Sequence, residues 1–177
     1  MENQPNLNYT NNELKEGDIV TGRITNMKKY GVFVDIGGVT GLLHIEDISI
    51  SRIRSPEERF FIGQNIKVVI KSINKDTGRI VLSHKELLGN WEDNVEEFTE
   101  KTVVEGTVKE ADNYKNGLFI ELKPNLVGLA EYKDGFTYGQ KVNVYIKKII
   151  KDKKKIKLLI VWNKKLLFQT KRRFWKW

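Results

Sequence analysis

The chain has 177 residues, 40% hydrophobic and 31% charged, with a formal net charge of +8 and no cysteine. That composition fits a soluble globular protein of one large or two small domains, drawn to polyanions at long range. It excludes disulfide scaffolds, thiolate zinc sites and cysteine nucleophiles, and no apolar run approaches the ~20 residues of a membrane span.

Residues 1–13 are polar and read as a flexible lead-in without the basic start and apolar core of a secretory signal. A cytoplasmic protein is the expectation. Strands are predicted over Asp18 to Met27, Tyr30 to Ile36 and Gly41 to Ile45, with Gly37-Gly38 as a turn. Glu46 to Glu58 is polar and reads as loop with some helix, its Arg52 and Arg54 solvated. Ile66 to Ile73 and Arg79 to Ser83 complete five strands, joined by a turn over Asn74 to Gly78.

The second strand is the most informative. Val32, Val34 and Ile36 alternate with Phe33 and Asp35, so the first three fill a core and Phe33 points away from it. A flat strand would put Tyr30 on the buried side. Gly31 is therefore expected to mark a bulge that turns Tyr30 and Phe33 toward one surface. Two rings on a strand face, with His44 near and a basic chain around them, suit the stacking of bases. A core ring at Phe33 and a barrel-closing tyrosine at Tyr30 are the structural alternatives.

Residues 86–101 change period. Leu87, Leu88, Trp91, Val95 and Phe98 fall near helical spacing among Glu92, Asp93, Glu96 and Glu97, which reads as an acidic linker helix packing on one or both barrels. Then the first pattern returns over 102–162. Val103 to Val108 echoes Ile19 to Ile24, Asn116 to Leu122 echoes Tyr30 to Ile36, and Gly128 to Glu131 echoes Gly41 to His44. Such self-similarity means two copies of one fold. The copy is degenerate: Tyr30 becomes Asn116, His44 becomes Glu131 and Arg79 becomes Lys155, while the ring at Phe33 survives as Phe119 and Tyr114 is a partial substitute for the lost one. Residues 163–177 form a basic tail in which Phe168, Phe174, Trp175 and Trp177 lie among lysines and arginines. That mixture suits phosphate contact and stacking, and equally a membrane-surface or protein-docking segment.

From Leu14 to Lys85, the order and spacing of Glu16-Gly17-Asp18-Ile19-Val20-Thr21-Gly22, the Tyr30 strand, Gly41-Leu42-Leu43-His44, Ile62-Gly63-Gln64 and Gly78-Arg79-Ile80 resemble the S1 RNA-binding domain family. The resemblance implies an all-β fold with a linker helix: two tandem OB-type five-stranded barrels, 14–85 and 102–162, the second degenerate. It implies that Tyr30, Phe33, His44, Asp76 and Arg79 contact RNA, with Phe119 and Lys155 weakly so in the second barrel. Asp76 is included as the acid nearest the family's usual aspartate position, which falls at Asn74 or Lys75 here.

As a whole the chain resembles the short S1-like proteins of bacteria grouped with ribosomal protein S1. That implies single-stranded RNA or mRNA and the small ribosomal subunit as partners, and a role in translation without a membrane. An adaptor docking on the ribosome or on an RNA-processing enzyme is the alternative. Catalysis finds no support: His44 and His84 are the only histidines, no phosphate-binding glycine loop occurs, and no metal-ligand spacing is present. The expectation is a protein that is not an enzyme and needs no cofactor or metal.

Overall fold

The computed structural model describes residues 14–112 and 117–161, which divide between Gly89 and Asn90 into two compact units. The expected lead-in, Tyr114, Asn116 and the basic aromatic tail lie outside the described residues.

In the first unit, alternating apolar residues form β1 (Ile19–Lys28), β2 (Gly31–Asp35), β3 (Thr40–His44), β4 (Asn65–Asn74) and β5 (Arg79–Ser83). They close into a barrel in the order β1-β2-β3-β5-β4, with β4 returning to β1. The β3–β5 pair is parallel and the others are antiparallel, which is the connectivity of the OB barrel. Val32, Val34 and Ile36 are wholly buried, as their alternation requires, together with Leu43, Val68 and Leu82. In β4 simple alternation fails at Val69, which is buried beside Val68 and Ile70. The 3-10 turn Lys85–Leu88 lies against β4 and covers its outer side.

The second unit repeats the plan. β6 (Val103–Asp112), β7 (Gly117–Lys123), β8 (Leu126–Ala130), β9 (Lys141–Ile150) and β10 (Lys155–Val161) close in the equivalent order, with β8 and β10 parallel. The extra residue that bends β1 between Ile24 and Asn26 has its counterpart between Val108 and Glu110. The one in β4 between Ile70 and Ser72 recurs in β9 between Ile146 and Lys148. The repeat seen in the sequence thus extends to the bulges of two strands, while β7 has a further irregularity between Glu121 and Lys123 that β2 lacks.

The helix expected over 86–101 is shorter than its periodicity suggests. Gly89, at φ +80°, separates the 3-10 turn Lys85–Leu88 from α1 (Trp91–Val95). Asn90 caps α1 by accepting the Asp93 N–H at 2.8 Å. Val95 is buried in the second core, against which Trp91 and Phe98 also pack.

Candidate nucleic-acid interface

β1 and β2 meet in a two-residue turn, Lys29-Tyr30, with Lys28 paired to Gly31. Tyr30 therefore stands in the turn, before the strand, and is 49% exposed. Phe33 follows on the outward face of β2. The two rings meet edge to face, centroids 6.3 Å apart at 85°. The bulge that brings this about is not at Gly31, as the sequence suggested, but across the hairpin at Thr25, whose hydroxyl donates to the Phe33 carbonyl at 3.3 Å. Gly31 itself is in regular register between Lys28 and His44. A side chain there would drive into the carbonyl oxygen of Leu43, so the glycine is required by close approach of β3.

His44 ends β3 directly opposite Gly31, and the Ile45 N–H donates to the Tyr30 carbonyl at 2.8 Å. This places the imidazole beside the turn that carries Tyr30. Its Nδ1 accepts the Glu46 N–H at 3.4 Å, with the Glu46 carboxylate 3.9 Å away. Tyr30, Phe33 and His44 are thus brought together at one end of the β2–β3 face, with the exposed Lys28 and Lys29 flanking Tyr30.

Arg79 and Asp76 lie elsewhere. Arg79 opens β5 opposite Asn74, exposed on the outward face, two residues before the Val81 that neighbours Leu42. Two strand spacings and two residues separate its Cα from that of Phe33, about 12 Å. Asp76 sits at the tip of the β4–β5 hairpin, its N–H bonded to the Asn74 side chain at 3.0 Å, and is not gathered with the rings. The register also exposes a row that the sequence reading missed: Asn26, Phe33, Leu42, Val81 and Ser72 lie side by side across the barrel. Leu42 and Val81, both partly exposed, give the ring of Phe33 an apolar floor. Their period-two positions signal an outward face, but strand pairing alone places them beside Phe33.

The loop beneath this face is fastened by Asp47. Burial opposes ionisation of its carboxyl, but hydrogen bonds from Lys71 at 2.9 and 3.1 Å, together with Lys85 at 2.9 Å, hold it below the ordinary carboxylate value. The same bond raises the Lys71 ammonium. Lys85 also donates to the Glu46 carbonyl at 3.1 Å, tying the segment after His44 to the end of β5.

The second barrel sets Phe119 and Leu129 where the first has Phe33 and Leu42, 38% and 37% exposed. Lys155 opens β10 as Arg79 opens β5. A buried pair with no equivalent in the first barrel lies at the β6 bulge. The Lys109 ammonium is 3.6 Å from the Glu121 carboxylate and sits 5.2 Å from the centre of the Tyr138 ring.

An OB barrel that displays rings, a histidine and cations on its β2–β3–β5 face defines a class of nucleic-acid-binding module. Residues 13–85 match the S1 RNA binding domain family. It is 37% identical over 159 residues to small ribosomal subunit protein bS1 of Staphylococcus aureus, a match covering 83% of this chain and 40% of that protein. To the Staphylococcus saprophyticus bS1 it is 41% identical over 122 residues, 68% of this chain and 30% of the relative. The chain thus spans less than half the length of these relatives. Among solved structures it is similar to GSP13 from Bacillus subtilis, with 20% identity, a TM-score of 0.41, and coverage of 51% and 76%. It is also similar to a multidomain protein with nucleic acid binding domains from Streptococcus pneumoniae, with 16% identity, a TM-score of 0.35, and coverage of 84% and 54%.

Proposed function

We propose that the first barrel binds single-stranded RNA with little base preference. Bases stack on Tyr30 and Phe33, His44 and Arg79 contact the strand beside them, and Asp76 bonds at the hairpin tip. The chain then serves translation in the cytoplasm by associating with mRNA and the small ribosomal subunit, without catalysis. The observation that carries this reading is the edge-to-face pair of the exposed Tyr30 and the half-buried Phe33 on the barrel face. Aromatic stacking contributes roughly 1–3 kcal/mol per base and tolerates any base, while the surrounding cations add a salt-sensitive term. Phe119 and Lys155 give the second barrel a weaker share.

Fluorescence anisotropy with a labelled single strand and a matched duplex, over a salt series, tests the proposal. Preference for the single strand, lost in Tyr30→Ala/Phe33→Ala at every salt concentration, is the expected result. Equal binding of both RNAs, unchanged by the double substitution, overturns it. The second reading, an adaptor that docks on protein, is favoured by the sequence repeat, in which Asn116 and Glu131 replace Tyr30 and His44. Cosedimentation with ribosomes that survives nuclease treatment would support that reading.

A further inference from the structure

The two barrels differ most on the strands opposite the rings. In the first, the row through Phe33 and Leu42 continues to Val81 on β5 and Ser72 on β4. In the second, the same row through Phe119 and Leu129 continues to Lys157 on β10 and Lys148 on β9, paired directly across the ladder. Lys155 lies two residues from Lys157 on the same outward face. The hairpins that carry these residues align without a gap, 71–81 on 147–157. The first holds Lys71, Lys75 and Arg79 against Asp76, and the second holds seven lysines against Asp152.

Like charges directly opposite on a sheet oppose folding, so a Lys148–Lys157 pair is held at a cost to stability when nothing neutralises it. Within the second unit Lys109, Lys123, Lys141 and Lys154 each meet a carboxylate. Among the described residues, Lys147, Lys148, Lys155 and Lys157 meet none. Glu110 beside Phe119 and Glu131 after β8 lie on the opposite side of the row, and the Glu100 carboxylate at the edge of β9 is engaged by the Ile149 N–H at 2.7 Å. The face is therefore polarised, with a ring and leucine at its centre and unneutralised ammonium groups along β9 and β10.

We infer that the β9–β10 face of the second barrel is a phosphate-backbone site, which grips the sugar–phosphate chain of RNA regardless of its bases. The barrels then divide the work: the first reads the strand as unstacked bases and the second holds it as a polyanion. Ammonium groups act as point charges on phosphates and need no base in place. The ring of Phe119 and its apolar neighbour, kept at the same register as Phe33 and Leu42, favour nucleic acid over an acidic protein as the occupant. The inference rests on the RNA reading of the first barrel for its biological ligand, but its test does not.

The test uses the full chain, a labelled uridine RNA oligomer and an abasic sugar–phosphate oligomer of equal length. The variants are Lys148→Gln/Lys155→Gln/Lys157→Gln, a control of equal charge loss at Lys67→Gln/Lys133→Gln/Lys141→Gln, and Tyr30→Ala/Phe33→Ala. The face triple should lower the slope of log affinity against log salt by about 2 for both probes, at ~0.7 per phosphate contact on a single strand. The control should leave the slope nearly unchanged. An unchanged slope in the face triple, an equal drop in the control, or polyglutamate competing as well as the abasic oligomer at equal charge would overturn the inference. Tyr30→Ala/Phe33→Ala should weaken the RNA and spare the abasic probe. If it spares both, the stacking proposal fails while the result for the lysines stands.

Discussion

The rings of Tyr30 and Phe33 meet edge to face at 6.3 Å although one belongs to a turn and the other to a strand. Val32 and Val34 hold Phe33 outward by filling the core on either side of it. The tight approach of β3 at Gly31 fixes where the turn leaves Tyr30. Neither ring is part of the barrel core, so each is available for stacking at little cost to the fold.

Phe33→Ala should therefore weaken single-stranded RNA binding by roughly 1–3 kcal/mol, about 5- to 150-fold, with thermal stability nearly unchanged. Anisotropy titration paired with a melting curve checks both halves. A large loss of stability would return Phe33 to the core and remove the basis for its role.

Adding one methyl at Gly31 should destabilise the first barrel by about 1–3 kcal/mol, because the new carbon meets the Leu43 carbonyl oxygen. Gly117→Ala should cost more in the second barrel. There the carbon meets the Ala130 carbonyl oxygen and the backbone also sits at φ +115°. Hydrogen exchange of core amides in each barrel separates the two effects, and equal protection losses would contradict the ordering.

Asp47 gives the first barrel an acid-sensitive fastening. Its folded value lies below the ordinary 3.8, so its contribution is present above 3.8 and is lost as pH falls through the lower folded value. Asp47→Asn should cost about 1–3 kcal/mol at neutral pH and progressively less as pH falls from the ordinary 3.8 toward the lower folded value, because the unfolded carboxyl takes up its proton first. Urea unfolding of both proteins from neutral pH into acid measures this. A difference that stays constant would mean the charge on Asp47 does not matter.

The buried Lys109–Glu121 pair should show the asymmetry of desolvated ions. Glu121→Gln removes the carboxylate charge from a buried ammonium beneath Tyr138 and should destabilise the second barrel by about 3–5 kcal/mol. Lys109→Met combined with Glu121→Leu should recover most of that loss. A double-mutant cycle in urea decides it, and additive losses would show the two groups to be uncoupled.

Both barrels, their strands and the register between copies were legible in the sequence, because period-two alternation and recurring glycines mark where a chain must pleat and turn. The rings were legible as candidates from the same alternation, while His44 and Arg79 were singled out through the resemblance to the S1 family. The position of the bulge was not: Gly31 carried the expected mark, yet the extra residue is Thr25, chosen by how β1 coils against two neighbours. The helix over 86–101 was overread, since its apolar spacing continues through Gly89, where the backbone breaks.

What the sequence determined by itself is local: which residues alternate, which turn, and that one pattern occurs twice. Only the tertiary structure decided which side chains become neighbours across the ladder. Leu42 and Val81 floor Phe33, Asp47 draws in Lys71 and Lys85, Lys109 folds inward onto Glu121, and Lys148 faces Lys157. Each pair is distant or unremarkable along the chain, and each is set by strand pairing and barrel closure. Those are contacts between segments, which no local pattern encodes.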